Sequence, residues 1–213
     1  MIMRKLVNKY VWLTTAALYL PVAAKCVMMW DGGRGAAALG EKLPSFLILP
    51  LLVTGGVALA NYLEDKILVD ADGAPQLRRV LLLTLALFLY IHSVKLLLPQ
   101  TRECQRLLPK LIFSGIGVFF VLLGLLMPYL KRNRVAGVRY SWTLTDPEVW
   151  KASNRIGGRY TVAMGAILLV STFVPQDRPM IFSTFEIWAL IVYIVALTLH
   201  SRLIAHKKNP PTT

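Results

Sequence analysis

Four side chains in this sequence lie where ionisable groups are rare. Lys25, His92, Lys95 and Glu186 fall within or at the ends of long apolar runs. In a membrane span such a group costs roughly 3 kcal/mol and usually faces a bundle interior or trapped water. The topology derived below sets Lys25, Lys95 and Glu186 in the outer part of their helices, with His92 about one turn deeper than Lys95. A Glu186–Lys95 or Glu186–Lys25 pair would keep either charge from being buried alone. Two readings follow. One is an outward-open polar pocket that receives a peptide or a headgroup; the other is a set of snorkelling lysines with one packing ion pair.

Enzyme chemistry finds little support. The histidines are His92, His200 and His206, and no two stand at ligand spacing within a span. His92 is expected near the outer face and His200 at the inner end, so a bis-histidine haem pair is not set up. No His-x-x-x-His, Gly-x-Ser-x-Gly, Walker or carboxylate-rich metal pattern occurs. Glu64 and Asp65 are the one adjacent acidic pair and read as loop solvation. The expectation is therefore no catalytic residue, no metal and no cofactor. Cys26 and Cys104 are too few for a disulfide framework; a single bridge or two free thiols are the options.

A second group of residues fills 131–159, KRNRVAGVRYSWTLTDPEVWKASNRIGGR. It holds seven Lys/Arg but only Asp146 and Glu148 as acids, with Trp142 and Trp150 among them. Aromatic rings beside basic residues between apolar runs suit a headgroup layer. Thr145-Asp146-Pro147-Glu148 reads as a capping box, with Pro147 in the first helical turn. Val149, Trp150, Ser153 and Ile156 then give one mildly apolar face, and Gly157-Gly158 is expected to end a short amphipathic surface helix. Arg139, Asn154 and Arg155 could bind a phosphate headgroup or a soluble partner, with the tryptophans as anchors. Equally, they could fold the loop onto the bundle.

The order Asn133-x-x-x-Gly137-Val138-Arg139, Trp142-Thr143-Leu144-Thr145, Glu148-Val149-Trp150 and Asn154-Arg155-x-Gly157-Gly158-Arg159 resembles the signature of the SdpI family. These are bacterial membrane proteins named for immunity to a secreted sporulation-delaying peptide toxin. The resemblance covers the chain from about Ile112 onward, and more loosely the N-terminal half. It implies binding at Asn133, Gly137, Arg139, Trp142, Thr143, Trp150, Asn154, Arg155 and Gly158. It also implies a peptide toxin as partner, and a cytoplasmic regulator held by the basic loop.

The elements that must position these groups follow from hydropathy. The 213 residues are 56% hydrophobic and 16% charged, with a mean hydropathy of +0.57. That places the chain among multi-pass membrane proteins. The net charge of +13 reflects loops rather than nucleic-acid binding. Six spans are expected, near 10–29, 44–62, 80–98, 111–130, 160–174 and 181–199, with a kink at Pro21. Gly55-Gly56 and Gly115/Gly117 are read as close-packing sites. The N-terminal arm, the 63–79 loop, the 131–159 stretch and the tail hold sixteen of the 24 Lys and Arg. Positive-inside bias thus sets both termini in the cytoplasm of a bacterial inner membrane. With no water in the bilayer core, every backbone group must be satisfied within helices, so an all-α membrane bundle is the predicted architecture. It divides into spans 1–3 (1–110) and a signature-bearing domain (111–213). The partners expected are membrane lipids, the toxin and the regulator; nucleic acid is not among them. The alternative function is a small transporter or channel with a polar path through Lys25, His92, Lys95 and Glu186.

Overall fold

The computed structural model describes residues 7–29, 32–63, 67–70, 73–99, 101–173 and 179–208. These form helices and connecting turns. The Glu64–Asp65 pair, the 175–178 turn and the ends of both terminal segments lie outside the described residues.

The first span is broken where proline requires it. Asn8 Oδ1 accepts the N–H groups of Tyr10 and Val11, both at 3.2 Å, and starts α1, Lys9–Ala17. Pro21 has no N–H and its ring crowds the carbonyl four residues back, at Ala17. The chain accordingly turns tightly at Leu18 and resumes as α2, Leu20–Met29. Next come α3, Gly32–Tyr62, and α4, Ala74–Leu97. The stretch ahead of the span expected from residue 44 is therefore helical backbone from Gly32 onward.

Helix α5 runs Arg102–Leu126, beginning ahead of the span expected from residue 111. Thr101 Oγ1 accepts the Cys104 N–H at 3.3 Å and caps it. A 3₁₀ turn at Met127–Tyr129 closes the span. A one-turn helix α6, Ser141–Thr145, precedes α7, Pro147–Ser171. The chain closes with α8, Pro179–Lys208, which continues helically through most of the expected polar tail.

The separate amphipathic helix does not exist as such. Its residues are the opening turns of α7, which passes through Gly157 and Gly158 without a break. Two mid-helix glycines cost about 1 kcal/mol each relative to alanine. Here packing outweighs that cost, because both glycines lie in helix–helix contacts. A Cβ on Gly158 would stand 2.5 Å from the Gly124 carbonyl oxygen, and one on Gly124 would stand 2.6 Å from that of Gly158. Two turns further along, a Cβ on Gly165 would be 2.7 Å from the Gly117 oxygen. Helices α5 and α7 therefore run antiparallel with backbones in contact at two levels, the arrangement small residues permit in membranes. Gly115 is also close-packed, lying under the Tyr90 ring. Gly55 and Gly56 differ from expectation: neither has a neighbour within 4 Å of a built Cβ.

Among the described residues, five segments are long and apolar enough to cross a membrane: Lys9–Met29, Lys42–Tyr62, Ala74–Leu97, Arg102–Tyr129 and Phe185–Lys208. Helix α7 joins them as a sixth rod between α5 and α8, although its first half is too charged to count by composition. Outward faces are apolar, with Leu52 69% and Phe173 84% exposed, so the solvent for this surface is lipid. The chain is a multi-pass membrane protein.

The first and last of the described residues both pack against the 131–159 stretch. Val7 and Val11 cluster with Leu77 and Leu85, against Ala136. At the other terminus Lys208 pairs with Asp146 and Glu148.

Candidate functional site

Residues 130–158 fold into a compact cap beneath the bundle, and its buried polar side chains mostly bond backbone groups of the cap itself. After Leu130 the chain makes a single bridge with the segment before α4. Leu68 and Asn133 pair antiparallel, Arg134 N–H donates to Ile67 O at 2.9 Å, and Val69 N–H donates to Arg132 O at 3.1 Å. Asp70 secures this junction. Its Oδ1 accepts Arg132 Nη2 at 2.9 Å and its Oδ2 accepts the Arg132 backbone N–H at 3.0 Å. Burial alone would raise the Asp70 pKa. The side-chain and backbone hydrogen bonds and the charge of Arg132 outweigh it and hold the carboxyl below its ordinary range.

Asn133 is buried and shapes the next turn. Its Oδ1 accepts the N–H groups of Val135 and Ala136, at 2.9 and 2.7 Å, while Nδ2 donates to Lys131 O at 2.9 Å. Gly137 follows with φ +102°, a region that L side chains avoid. There is a second reason for glycine here, since a Cβ would stand 2.3 Å from Asn154 Oδ1. That oxygen accepts Val138 N–H at 3.0 Å, and Asn154 Nδ2 donates to Trp150 O at 2.9 Å. Asn154 is 0% exposed. It ties the loop to α7 from inside.

Trp150 and Thr143 complete the interior. The Trp150 indole N–H donates to Leu130 O at 2.7 Å, satisfying a carbonyl left free where the preceding span ends. Thr143 Oγ1 donates to Val138 O at 2.6 Å and accepts Tyr140 N–H at 2.9 Å, starting α6. Around them Val80, Met127, Leu130, Val138 and Trp150 form one apolar cluster. Asp146 caps α7 by accepting the N–H groups of Glu148 and Val149, at 2.8 and 3.2 Å. The Val149 bond foremost keeps its pKa low.

Arg139, Trp142 and Arg155 stand apart from that interior. Trp142 stacks on Tyr140, centroids 4.7 Å apart, and reaches Ser201 on α8 through a long 3.4 Å bond. Tyr140 OH in turn bonds Thr198. Arg139 is exposed, donates to Arg134 O at 2.8 Å, and lines an open depression of about 610 Å³ with Val69, Arg134, Leu144 and Thr145. Arg155 is exposed on α7. Gly158 is the α5 contact already described.

The intramembrane groups are divided between helices. Glu186 on α8 is buried and its Oε1 accepts Ser171 Oγ of α7 at 2.9 Å. His92 on α4 is buried, and its Nε2 has no hydrogen-bond partner among the described residues. Lys95, one turn on, is exposed, and Lys25 is half-buried on α2. Among the described residues, ion pairs occur at Asp70–Arg132 and at Lys208 with Asp146 and Glu148, rather than between Glu186 and a lysine. Cys26 and Cys104 are free thiols. The described residues hold no cluster of three His, Cys, Asp or Glu able to take a metal ion.

Three features escaped sequence reasoning. The hydroxyl of Ser171, the carboxylate of Asp70 and the ring of Tyr140 are single residues without a motif, and only the fold reveals their partners. The glycine spacing was legible in principle: Gly117 and Gly124 are seven apart, as are Gly158 and Gly165, which repeats one helix face.

Residues 129–201, from the 3₁₀ turn through most of α8, match the family model described as the SdpI/YfhL protein family. The chain is also 29% identical over 167 residues to Immunity protein SdpI of Bacillus subtilis (strain 168), covering 76% of each chain. No solved structure matches. The cap and the two helices that carry it, residues 129–201, thus resemble the SdpI/YfhL protein family.

Proposed function

We propose that this protein confers immunity against a secreted, membrane-active peptide from within a bacterial cytoplasmic membrane. The observation that carries the reading is the similarity to Immunity protein SdpI, which extends over 76% of both chains. It therefore takes in membrane helices beyond the cap. Loop charge supports an orientation with both termini and the cap in the cytoplasm.

In this reading the bundle meets the peptide and the cap is a stiff base. Asn133, Thr143, Trp150 and Asn154 are buried and bonded, which suits a frame better than a ligand surface. Glu186 with Ser171, and His92 with Lys95, supply polar groups in the outer half. An apolar groove of about 310 Å³ between α4 and α5, lined by residues such as Leu87, Tyr90 and Phe119, offers a hydrophobic peptide a surface at membrane depth. Arg139 and Trp142 remain for a cytoplasmic regulator.

The test is survival of a sensitive bacterium expressing this protein when challenged with a sporulation-delaying-type peptide. Wild type should protect. Glu186→Gln should lose protection at matched membrane levels, whereas Arg139→Ala should keep it. Absence of protection by the wild type would remove the immunity reading and favour transport.

A further inference from the structure

Lys151, Arg155 and Arg159 recur every four residues on α7, one above another along a single helix face. All three are exposed, and none has a hydrogen-bond or ion-pair partner among the described residues. The same face then changes character abruptly. Beyond Arg159 its exposed positions are Ala163, Ala166, Ile167 and Val170. From Tyr160 to Ser171 the apolar part of α7 rises about 18 Å, well short of the roughly 30 Å of a hydrocarbon core.

The neighbouring helices show what that shortfall means. Gly158 sits against Gly124, so in the antiparallel register Arg159 is level with Leu123 and Arg155 with Met127. On α5, however, Leu122 and Leu125 are exposed at these levels, Leu125 by 56%. On the other side, Tyr160 OH bonds His200 Nδ1 at 2.7 Å, which brings Leu199 and Leu203 of α8 to similar depth. They are 58% and 65% exposed. Helix α7 is thus basic where both flanking helices present leucine to lipid.

We propose that Lys151, Arg155 and Arg159 form a binding site for the headgroups of anionic phospholipids, drawn in to the depth of Leu125 and Leu199. Unpaired cations beside hydrocarbon require counter-charges, and lipid phosphates are the anions present at that depth. Long side chains that snorkel towards the interface complete the geometry. The short apolar segment of α7 makes local thinning of the bilayer the accompanying response. This site uses α7's outer face and does not depend on the immunity reading.

The test reconstitutes the full chain in phosphatidylcholine vesicles carrying a minor fraction of spin-labelled phosphatidylglycerol or, separately, spin-labelled phosphatidylcholine. Electron paramagnetic resonance then reports the protein-bound fraction of each. Wild type should prefer phosphatidylglycerol. Combined Lys151→Gln, Arg155→Gln and Arg159→Gln should lower that preference at least about fivefold, the effect expected from even one basic side chain at an anionic surface. Combined Arg79→Gln, Arg202→Gln and Lys207→Gln removes equal charge elsewhere and should leave most of the preference. Conversion of Arg155 and Arg159 to lysine should retain it. Equal loss in the two triple variants, an unchanged preference in the first, or abolition of the wild-type preference by inorganic phosphate would overturn the proposal; the last would indicate a soluble-anion site.

Discussion

Asn154 Oδ1 occupies the space in which Gly137 would carry a side chain, 2.3 Å from a Cβ built there. The same oxygen accepts Val138 N–H at 3.0 Å. One residue of α7 thereby sets both the identity and the backbone angle of a loop residue seventeen positions earlier.

Gly137→Ala should therefore act as a double fault, adding a clash to the strain of positive φ. We expect a loss of about 1–3 kcal/mol. Asn154→Ala should cost a similar amount by leaving Val138 N–H and Trp150 O unbonded in the interior. Thermal unfolding in detergent measures both. If Gly137→Ala unfolds like wild type, the loop does not rest on Asn154 in the way described.

The glycine contacts between α5 and α7 give a positional contrast. Gly124→Ala and Gly158→Ala each force backbones apart, because the obstructing atom is a carbonyl oxygen rather than a flexible side-chain end. Overpacking of this kind costs about 1–3 kcal/mol. Gly55→Ala meets nothing within 4 Å, so it should be neutral or stabilising by up to about 1 kcal/mol. Unfolding midpoints of the three variants should separate into these two groups.

Acid should loosen the cap before the bundle. Asp70 and Asp146 both have depressed carboxyl pKa values. A group with a lowered folded-state pKa contributes stability that is complete above its unfolded value, near 3.8 here, and lost as pH falls through the folded value. Limited proteolysis or hydrogen exchange at 130–146 should thus change little from neutral pH down to about 5 and rise below about 4. Asp70→Asn should show raised exchange already at neutral pH, and a weaker acid response.

Ser171→Ala removes the hydroxyl donor at 2.9 Å from Glu186. A buried carboxyl left without that bond should lower stability by about 1–3 kcal/mol. Glu186→Gln keeps an acceptor and should unfold within about 1 kcal/mol of wild type. Thermal unfolding of the pair distinguishes this arrangement from an ion pair with lysine, in which Glu186→Gln would be the more damaging change.

Much of the architecture was readable from sequence because the bilayer imposes it. Long apolar runs in a solvent without hydrogen bonds must become helices, and proline at 21 broke the first of them as its missing N–H requires. The start of α7 was legible too, because Pro147 acts locally, although the cap is Asp146 rather than the Thr145 of the capping-box pattern. The signature order of residues 133–159 likewise carried the family resemblance by itself.

What sequence could not settle was decided by contacts between distant residues. Gly157-Gly158 reads as a stop because local propensity is all a sequence window contains. Packing against Gly124, Val138 and Leu197 turns the same pair into the middle of a helix. Asn133, Thr143, Trp150 and Asn154 have the chemistry of ligand-binding residues, yet tertiary folding spends their hydrogen bonds on backbone groups of the cap. Sequence singled out polar residues by type and order. Only the three-dimensional register determined which of them face inward, and which, like Arg155 and Arg159, are left to meet something else.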